Sequence, residues 1–177
     1  MSFHSSRHVS VDHFDLVHSD VWGPAPVSSL SGYNYYVSFV DDCSRYTWIY
    51  LMRHRSELFQ IYTDFTNMIQ TQFQKRIKVF RSDGAREYLS LSMTNLLKSH
   101  GTLHQQSCPH THQQNGTAER KHRHLLDITR SLLISASVPK SCWAEAILTV
   151  ALLTNITPSS SITNVTPYSL LHGTPFH

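Results

Sequence analysis

The sequence has few cysteines and no long apolar run. Cys43, Cys108 and Cys142 are spread over 177 residues and form no C-x-x-C pair. This spacing argues against a disulfide framework or a zinc ribbon and favours a reducing compartment. No stretch approaches the roughly 18 apolar residues of a transmembrane helix, and the polar, His-rich start is unlike a signal peptide. We therefore expect a soluble, intracellular protein.

A strong charge of one sign is also missing. The chain has 15 Lys and Arg against 12 Asp and Glu, and its net charge of +3 does not by itself indicate a nucleic-acid-binding protein. It does have a hydrophobic fraction of 40%, which is typical of a folded domain. Its 13 His are unusually many, and such residues can lie near phosphate without carrying full charge at neutral pH. The length suits one domain with a core of its own.

The hydrophobic pattern predicts strands followed by alternating strands and helices. Strands are expected over 14–24, 33–40, 46–52, 76–83 and 102–108, with turn residues 41–44 joining the second and third into a hairpin. Helices are expected from an N-cap at Ser56 to Phe73, over 88–101, from 116 to about 136, and over 141–154. The last helix should bury Trp143, Ile147, Val150 and Leu153, and the residues from 157 on should be irregular. This order predicts an α/β fold with a mixed five-stranded sheet flanked by helices.

Three acids stand at the ends of these predicted elements. Asp20 follows the first strand, Asp83 ends the fourth, and Glu119 opens the long helix. Sites in open sheets gather at strand ends, so these carboxylates converge if their strands are neighbours. Carboxylate oxygens suit Mg²⁺ or Mn²⁺, and two such ions about 3.5–4 Å apart activate a nucleophile and stabilise the leaving oxygen of a phosphodiester.

Polar residues around Glu119 allow two interpretations. Arg120, Lys121 and Arg123 either form a solvated helix face or, beside the acids, contact phosphate groups. Gln114 and Asn115 lie on the loop that enters the helix, where their amides either touch DNA or, for Asn115, cap the helix.

Two further clusters are better explained without a metal. Asp41 and Asp42 form a rival acid pair, but capping of the hairpin turn explains them more simply. His110, His112, His122 and His124 have the H-x-H spacing of zinc ligands, without a nearby Cys or a third placed ligand. Asp64 and Asp127 are expected to be surface acids, and Cys108 a small buried residue.

Four motifs occur in a specific order along the chain. They are HSDVWGP with Asp20, SFVDDCSRYTWIYLM, RSDGAREY with Asp83, and SCPHTHQQNGTAERKHR with Glu119. Together they resemble the retroviral-type integrase catalytic core, in the form carried by copia-type LTR retrotransposons. The resemblance runs from about Phe14 to the closing TPYSLLHGTPF.

The resemblance implies an RNase H-like fold and a function. Asp20, Asp83 and Glu119 would hold two Mg²⁺ or Mn²⁺ ions for 3′-end processing and strand transfer of DNA. DNA and further copies of the chain are the expected partners, and the nucleus the expected site of action after synthesis in the cytoplasm. We expect residues 1–12 to be a linker, residues 13–177 to be the catalytic core with a helical tail from about 139, and the whole to be a fragment of a Pol polyprotein.

Departures from the family pattern leave other functions open. The family reads Asp-Asn-Gly-Gly-Glu-Tyr where this chain has Asp83-Gly84-Ala85-Arg86-Glu87-Tyr88. If Ala85 or Arg86 had to adopt a positive φ, its side chain would cost roughly 1–2 kcal/mol. The family also has a Pro where His112 stands. A catalytically degenerate DNA-binding remnant is therefore one alternative. An RNase H-like nuclease for RNA–DNA hybrids is another, disfavoured by the copia-type motifs.

Overall fold

The computed structural model of the chain describes residues 10–106 and 116–176. These residues form a central sheet with helices and a hydrophobic core on each face. Within those two ranges, no helix has both the length and the apolar character needed to cross a membrane.

Among the described residues, five strands form one mixed sheet. Three strands make an antiparallel meander: β1 (Leu16–Trp22), β2 (Tyr35–Asp41) and β3 (Thr47–Met52). Two more add in parallel on the other side of β1, namely β4 (Val79–Ser82) and β5 (Leu103–Gln106). The order β3-β2-β1-β4-β5 places β1 at the centre, between an antiparallel and a parallel neighbour. The predicted mixed five-stranded sheet is confirmed.

In the described parts of the chain, five α-helices cover the sheet. They are α1 (Leu58–Phe73), α2 (Leu91–His100), α3 (Gly116–Ser135), α4 (Trp143–Ile156) and α5 (Pro167–His172). The first four agree with the predicted helices to within a few residues at each end. Each core is therefore closed by helices whose apolar positions recur at helical spacing.

Two local predictions were wrong. Ser56 is not the N-cap of α1, because it lies inside a short 3₁₀ helix, Arg55–Glu57, whose N-cap is His54 and which leads into α1. The segment after residue 157 is not wholly irregular, because it contains α5. The Thr166 hydroxyl accepts a hydrogen bond from the Ser169 amide at the start of α5, and Gly173, with φ of 70°, ends it.

Alternate residues along the strands fill two separate cores. Val37 and Phe39 of β2 face the core under α1 and α2, where the Phe39 and Phe65 rings stack at 4.3 Å. Tyr36 faces the core under α3 and α4, together with Leu125. Trp143, Ile147 and Val150 are buried there as predicted, but Leu153 is 47% exposed and does not belong to this core. The sheet thus separates two apolar layers.

Asp41 and Asp42 organise the turn between β2 and β3. Asp41 is fully buried and accepts hydrogen bonds from the backbone amides of Phe14 and Ser44. Asp42 accepts from the Ser10 amide and contacts His18 and Arg45. The predicted turn-capping role is confirmed, and the same contacts anchor the start of β1 to the turn.

Candidate functional site

Asp20 and Asp83 lie at the same level on neighbouring strands. In the parallel β1–β4 pair, Leu16 is the partner of Val79 and His18 the partner of Arg81, an offset of 63 residues. The same offset, continued by two residues, aligns Asp20 with Asp83, directly after the end of β4. Neighbouring strands lie about 4.8 Å apart, so this register makes Asp20 and Asp83 neighbours. The prediction that Asp20 follows the first strand was wrong, because Asp20 lies within β1.

The surroundings of Asp83 disfavour its ionised form. Burial is the largest cause that raises the pKa of Asp83, and the negative charges of Asp20 and Glu87 add to it. A hydrogen bond of 3.2 Å from the Ala85 amide and the charge of Arg55 act in the opposite direction. The net raised pKa reflects burial first and the neighbouring negative charges second, and a bound cation would offset both.

The turn after Asp83 has ordinary backbone geometry. Ala85 has φ of −63°, and Gly84 and Arg86 are not among the residues with positive φ. The backbone strain that a positive φ at Ala85 or Arg86 would cause is therefore absent. Two contacts fix the turn: the Tyr88 hydroxyl meets the Ser19 hydroxyl at 2.7 Å, and Glu87 forms an ion pair with Arg55.

Glu119 shares a cleft with Asp20. It lies exposed in the first turn of α3, and a cleft of about 310 Å³ separates that helix from the end of β1. Beneath the cleft, buried His122 stacks on Tyr36 at 4.7 Å, and its Nδ1 lies 3.4 Å from a carboxylate oxygen of Asp20. The cleft is lined by Asp20, Val21, Trp22, Glu119, His122, Arg123, Leu126 and Arg130.

The predicted DNA-binding residues point in different directions. Arg123 lines the cleft, whereas Arg120 is exposed beside it. Lys121 lies on the other side of α3 and lines a second cavity; burial, followed by the charge of Arg45, lowers the pKa of Lys121 to about 8. Gln114 and Asn115 lie outside the described residues, as do His110, His112 and Cys108. The predicted surface acids Asp64 and Asp127 are exposed.

Besides the aliphatic Val21 and Leu126, sequence reasoning missed three aromatic or charged residues of the cleft. Trp22, His122 and Arg130 were not assigned to the site, although all three line it. A signal for Arg130 was available, because positions 119, 123, 126 and 130 recur at helical spacing and so share one face of α3. Buried His122 gave no such signal, because its stacking on Tyr36 depends on the tertiary structure.

The donor groups suit a hard divalent cation, although the described side chains do not form a closed cage. Asp20 is the common neighbour, level with Asp83 on the sheet and sharing the cleft with Glu119. All three offer carboxylate oxygens, the ligands that Mg²⁺ and Mn²⁺ prefer. Over residues 10–106 and 116–176, however, no three His, Cys, Asp or Glu side chains are close enough together to hold a metal.

Comparison with known proteins identifies the family. A model of the integrase core domain matches residues 12–112. The chain is 38% identical over 159 residues to the retrovirus-related Pol polyprotein from transposon TNT 1-94 of Nicotiana tabacum, covering 90% of the chain and 12% of that protein. It is 36% identical over 173 residues to the Pol polyprotein from transposon RE2 of Arabidopsis thaliana, covering 98% of the chain and 12% of that protein.

A solved structure shows the same fold. The integrase catalytic core domain of HTLV-2, in complex with magnesium and in a trimeric form, superposes with a TM-score of 0.63 at 14% identity. The match covers 89% of this chain and 95% of that one. It confirms the RNase H-like arrangement of a mixed sheet flanked by helices. Since the chain spans about an eighth of the plant polyproteins that it matches, its likeness to them concerns this one domain. On the match to the family model and the identity to the transposon polyproteins, the chain belongs to the integrase core domain family.

Proposed function

We propose that the chain is the catalytic core of a retrotransposon integrase, a divalent-metal-dependent enzyme that trims and joins DNA ends. The observation that carries this proposal is the β1–β4 register, which aligns Asp20 with Asp83 while Glu119 faces Asp20 across one cleft. The chain would act as a domain of a longer Pol polyprotein, in the nucleus and as a multimer. The HTLV-2 domain was solved with magnesium and in a trimeric form, which supports the proposed metal dependence and the proposed multimer.

In this proposal the three acids hold two Mg²⁺ or Mn²⁺ ions. When bound, such ions supply charge stabilisation and an activated oxygen nucleophile for displacement at a phosphodiester. The resting repulsion between Asp20 and Asp83, which contributes to the raised pKa of Asp83, is what a cation would relieve. Glu119, exposed in the first turn of α3, supplies the third carboxylate.

The cationic side chains of the cleft orient DNA in this proposal. Arg123 and Arg130 line the same cleft as Asp20 and Glu119. Arg130 is also paired with exposed Asp127 at 3.0 Å, a surface pair that a phosphate group can displace at small cost. Backbone phosphates would therefore meet two guanidinium groups along one face of α3.

Strand transfer in Mn²⁺ tests the enzymatic assignment. Asp83→Asn and Glu119→Gln should each lose activity on the order of a thousandfold, because several kcal/mol of charge stabilisation are lost at about 1.4 kcal/mol per tenfold. Asp64→Asn on α1 and Glu145→Gln on α4 make the same chemical changes at exposed positions. These controls should retain full activity. Equal activity in all five proteins would refute the assignment.

A DNA-binding domain without catalysis is the second candidate. The observation that favours it is that Asp83 does not line the cleft shared by Asp20 and Glu119. It predicts that the wild-type chain binds duplex DNA, that Arg123→Gln weakens this binding, and that no variant and no metal produces strand transfer. Absence of both DNA binding and strand transfer would exclude both candidates.

A further inference from the structure

A second cavity lies on the opposite face of α3 from the acid cleft. Its volume is about 430 Å³, within the range of cavities that hold small ligands. Lys121, His124 and Ile128 of α3 form one wall, whereas the acid cleft is lined by positions 119, 123, 126 and 130. At 100° per residue these two sets point about 160° apart, so the helix separates the two sites.

The lining of this cavity carries positive charge and no acid. Arg45, Lys121 and His124 line it, and none of the described residues in its lining is Asp or Glu. Arg45 is anchored through Nη1 to Asp42 at 3.0 Å, which fixes the position of its guanidinium group. Within the described residues, the side chains of Lys121 and His124 have no hydrogen-bond or ion-pair partner. A half-buried ammonium group without a carboxylate neighbour is costly unless an anion joins it.

Hydroxyl groups and apolar side chains complete the cavity. Thr157, Ser159 and Ser160, just after α4, also line the cavity; the Thr157 hydroxyl donates to the Leu153 carbonyl, and the Ser159 hydroxyl pairs with that of Ser161. The Ser160 hydroxyl has no hydrogen bond partner among the residues that the structure describes. Val150 and Leu153 of α4 provide apolar wall, which lowers the local dielectric constant and strengthens any ion contact inside. Proteins bind phosphate with Arg, Lys and hydroxyl donors in a lining that has no carboxylate.

We propose that this cavity binds a phosphate group, at Arg45, Lys121 and His124. The group belongs either to a small phosphorylated molecule or to the backbone of a nucleic acid. The proposal depends on the cavity alone and is independent of metal binding by the three acids. Its test therefore measures binding, without any catalytic readout.

Calorimetric titration of the whole chain with inorganic pyrophosphate is the first arm. Wild-type protein should bind pyrophosphate, and Lys121→Gln and His124→Gln should each weaken binding roughly tenfold or more, because each removes a charge-assisted contact. Two controls should bind like wild type: Lys98→Gln, exposed on α2, and Lys140→Gln, exposed just before α4. Circular dichroism verifies that every variant is folded, and exposed His124 keeps the test valid if Lys121→Gln does not fold.

Competition with DNA is the second arm and identifies the source of the phosphate. If pyrophosphate displaces a labelled duplex, and Lys121→Gln weakens both ligands, the phosphate is that of the DNA backbone. If pyrophosphate binds without displacing the duplex, the cavity serves a small phosphorylated ligand. The proposal is overturned if wild-type protein does not bind pyrophosphate, or if Lys98→Gln and Lys140→Gln weaken its binding as much as Lys121→Gln does. Failure of strand transfer leaves this result unaffected.

Discussion

Asp20 of β1 and Asp83, directly after β4, stand side by side at one level of two parallel strands. Burial first, and then the negative charge of Asp20 among its neighbours, raises the pKa of Asp83. Asp20→Asn removes that charge while keeping the size of the side chain. The pKa of Asp83 should therefore fall in this variant, as measured by carboxyl-carbon NMR titration in metal-free buffer. An unchanged pKa would mean that the two carboxyl groups do not interact.

Asp42 should make the stability of the protein depend on acid pH. Burial alone would raise its pKa, but hydrogen bonds from His18 and the Ser10 amide, and the charge of Arg45, lower it well below the ordinary value. A carboxyl group whose pKa is lower in the folded chain adds stability above its unfolded pKa of about 3.9. That contribution is lost as the pH falls through the folded value.

Asp42→Asn tests this contribution by urea unfolding at two pH values. At pH 7 the variant should be less stable by about 1–3 kcal/mol, since a buried charged acceptor is lost. At pH 3 the difference should be smaller. Asp64→Asn, at an exposed position on α1, is the matched control and should change stability little. A similar loss in both variants would assign the effect to net charge instead of the buried contacts.

Arg55 should couple the turn after Asp83 to the end of β1. It forms an ion pair with Glu87, donates from Nη2 to the Gly23 carbonyl at 3.0 Å, and lies 5.4 Å over the Tyr35 ring. A double-mutant cycle with Arg55→Gln and Glu87→Gln should give a coupling free energy of about 0.5–3 kcal/mol in chemical denaturation.

The exposed pair Asp127–Arg130 is the control for that cycle. Both of its side chains are more than half exposed, so its coupling should stay below about 0.5 kcal/mol. Equal coupling in the two pairs would mean that the three contacts of Arg55 do not act together.

Gly23 should not tolerate a side chain. Its φ is +125°, and a Cβ would lie 2.5 Å from the Tyr35 ring and 2.6 Å from the Asn34 carbonyl oxygen. Gly23→Ala should therefore lower the midpoint of thermal unfolding, at a cost of about 1–3 kcal/mol. Gly84→Ala is the control, since its Cβ would meet nothing within 4 Å and its φ is not positive. It should leave stability within about 1 kcal/mol of wild type. A comparable loss at both positions would contradict this reading of the backbone.

Two residues of the candidate site were predictable from their positions near the ends of predicted strands. Asp20 and Asp83 were recognised because each follows a clear β pattern, and parallel neighbours bring such ends together. The register that makes them level was not predictable, because pairing depends on which strands become neighbours. The ordinary backbone angles of the turn at Ala85 were not predictable either. Tyr88 and Glu87 hold this turn through contacts with Ser19 and Arg55, which are distant in the sequence.

In α4 and α5 the hydrophobic pattern predicts neither which residues are buried nor where the short helix lies. Helix α4 is apolar on nearly every side, so its sequence does not distinguish the buried Ile147 from the exposed Leu153. Helix α5 is only six residues long, too short for a periodic signal. Its local signals were present, since Thr166 precedes Pro167 and Gly173 follows the helix.

The three tryptophans of the chain are divided between the two faces of the sheet. Trp22 lines the acid cleft and meets Trp143 edge-on at 5.4 Å, whereas Trp48 packs in the core under α1. A quenching ion or a base that enters the cleft would reach Trp22 first and leave Trp48 as an internal reference. The protein thus carries a fluorescent reporter in the wall of its own cleft, and occupancy is readable without a label.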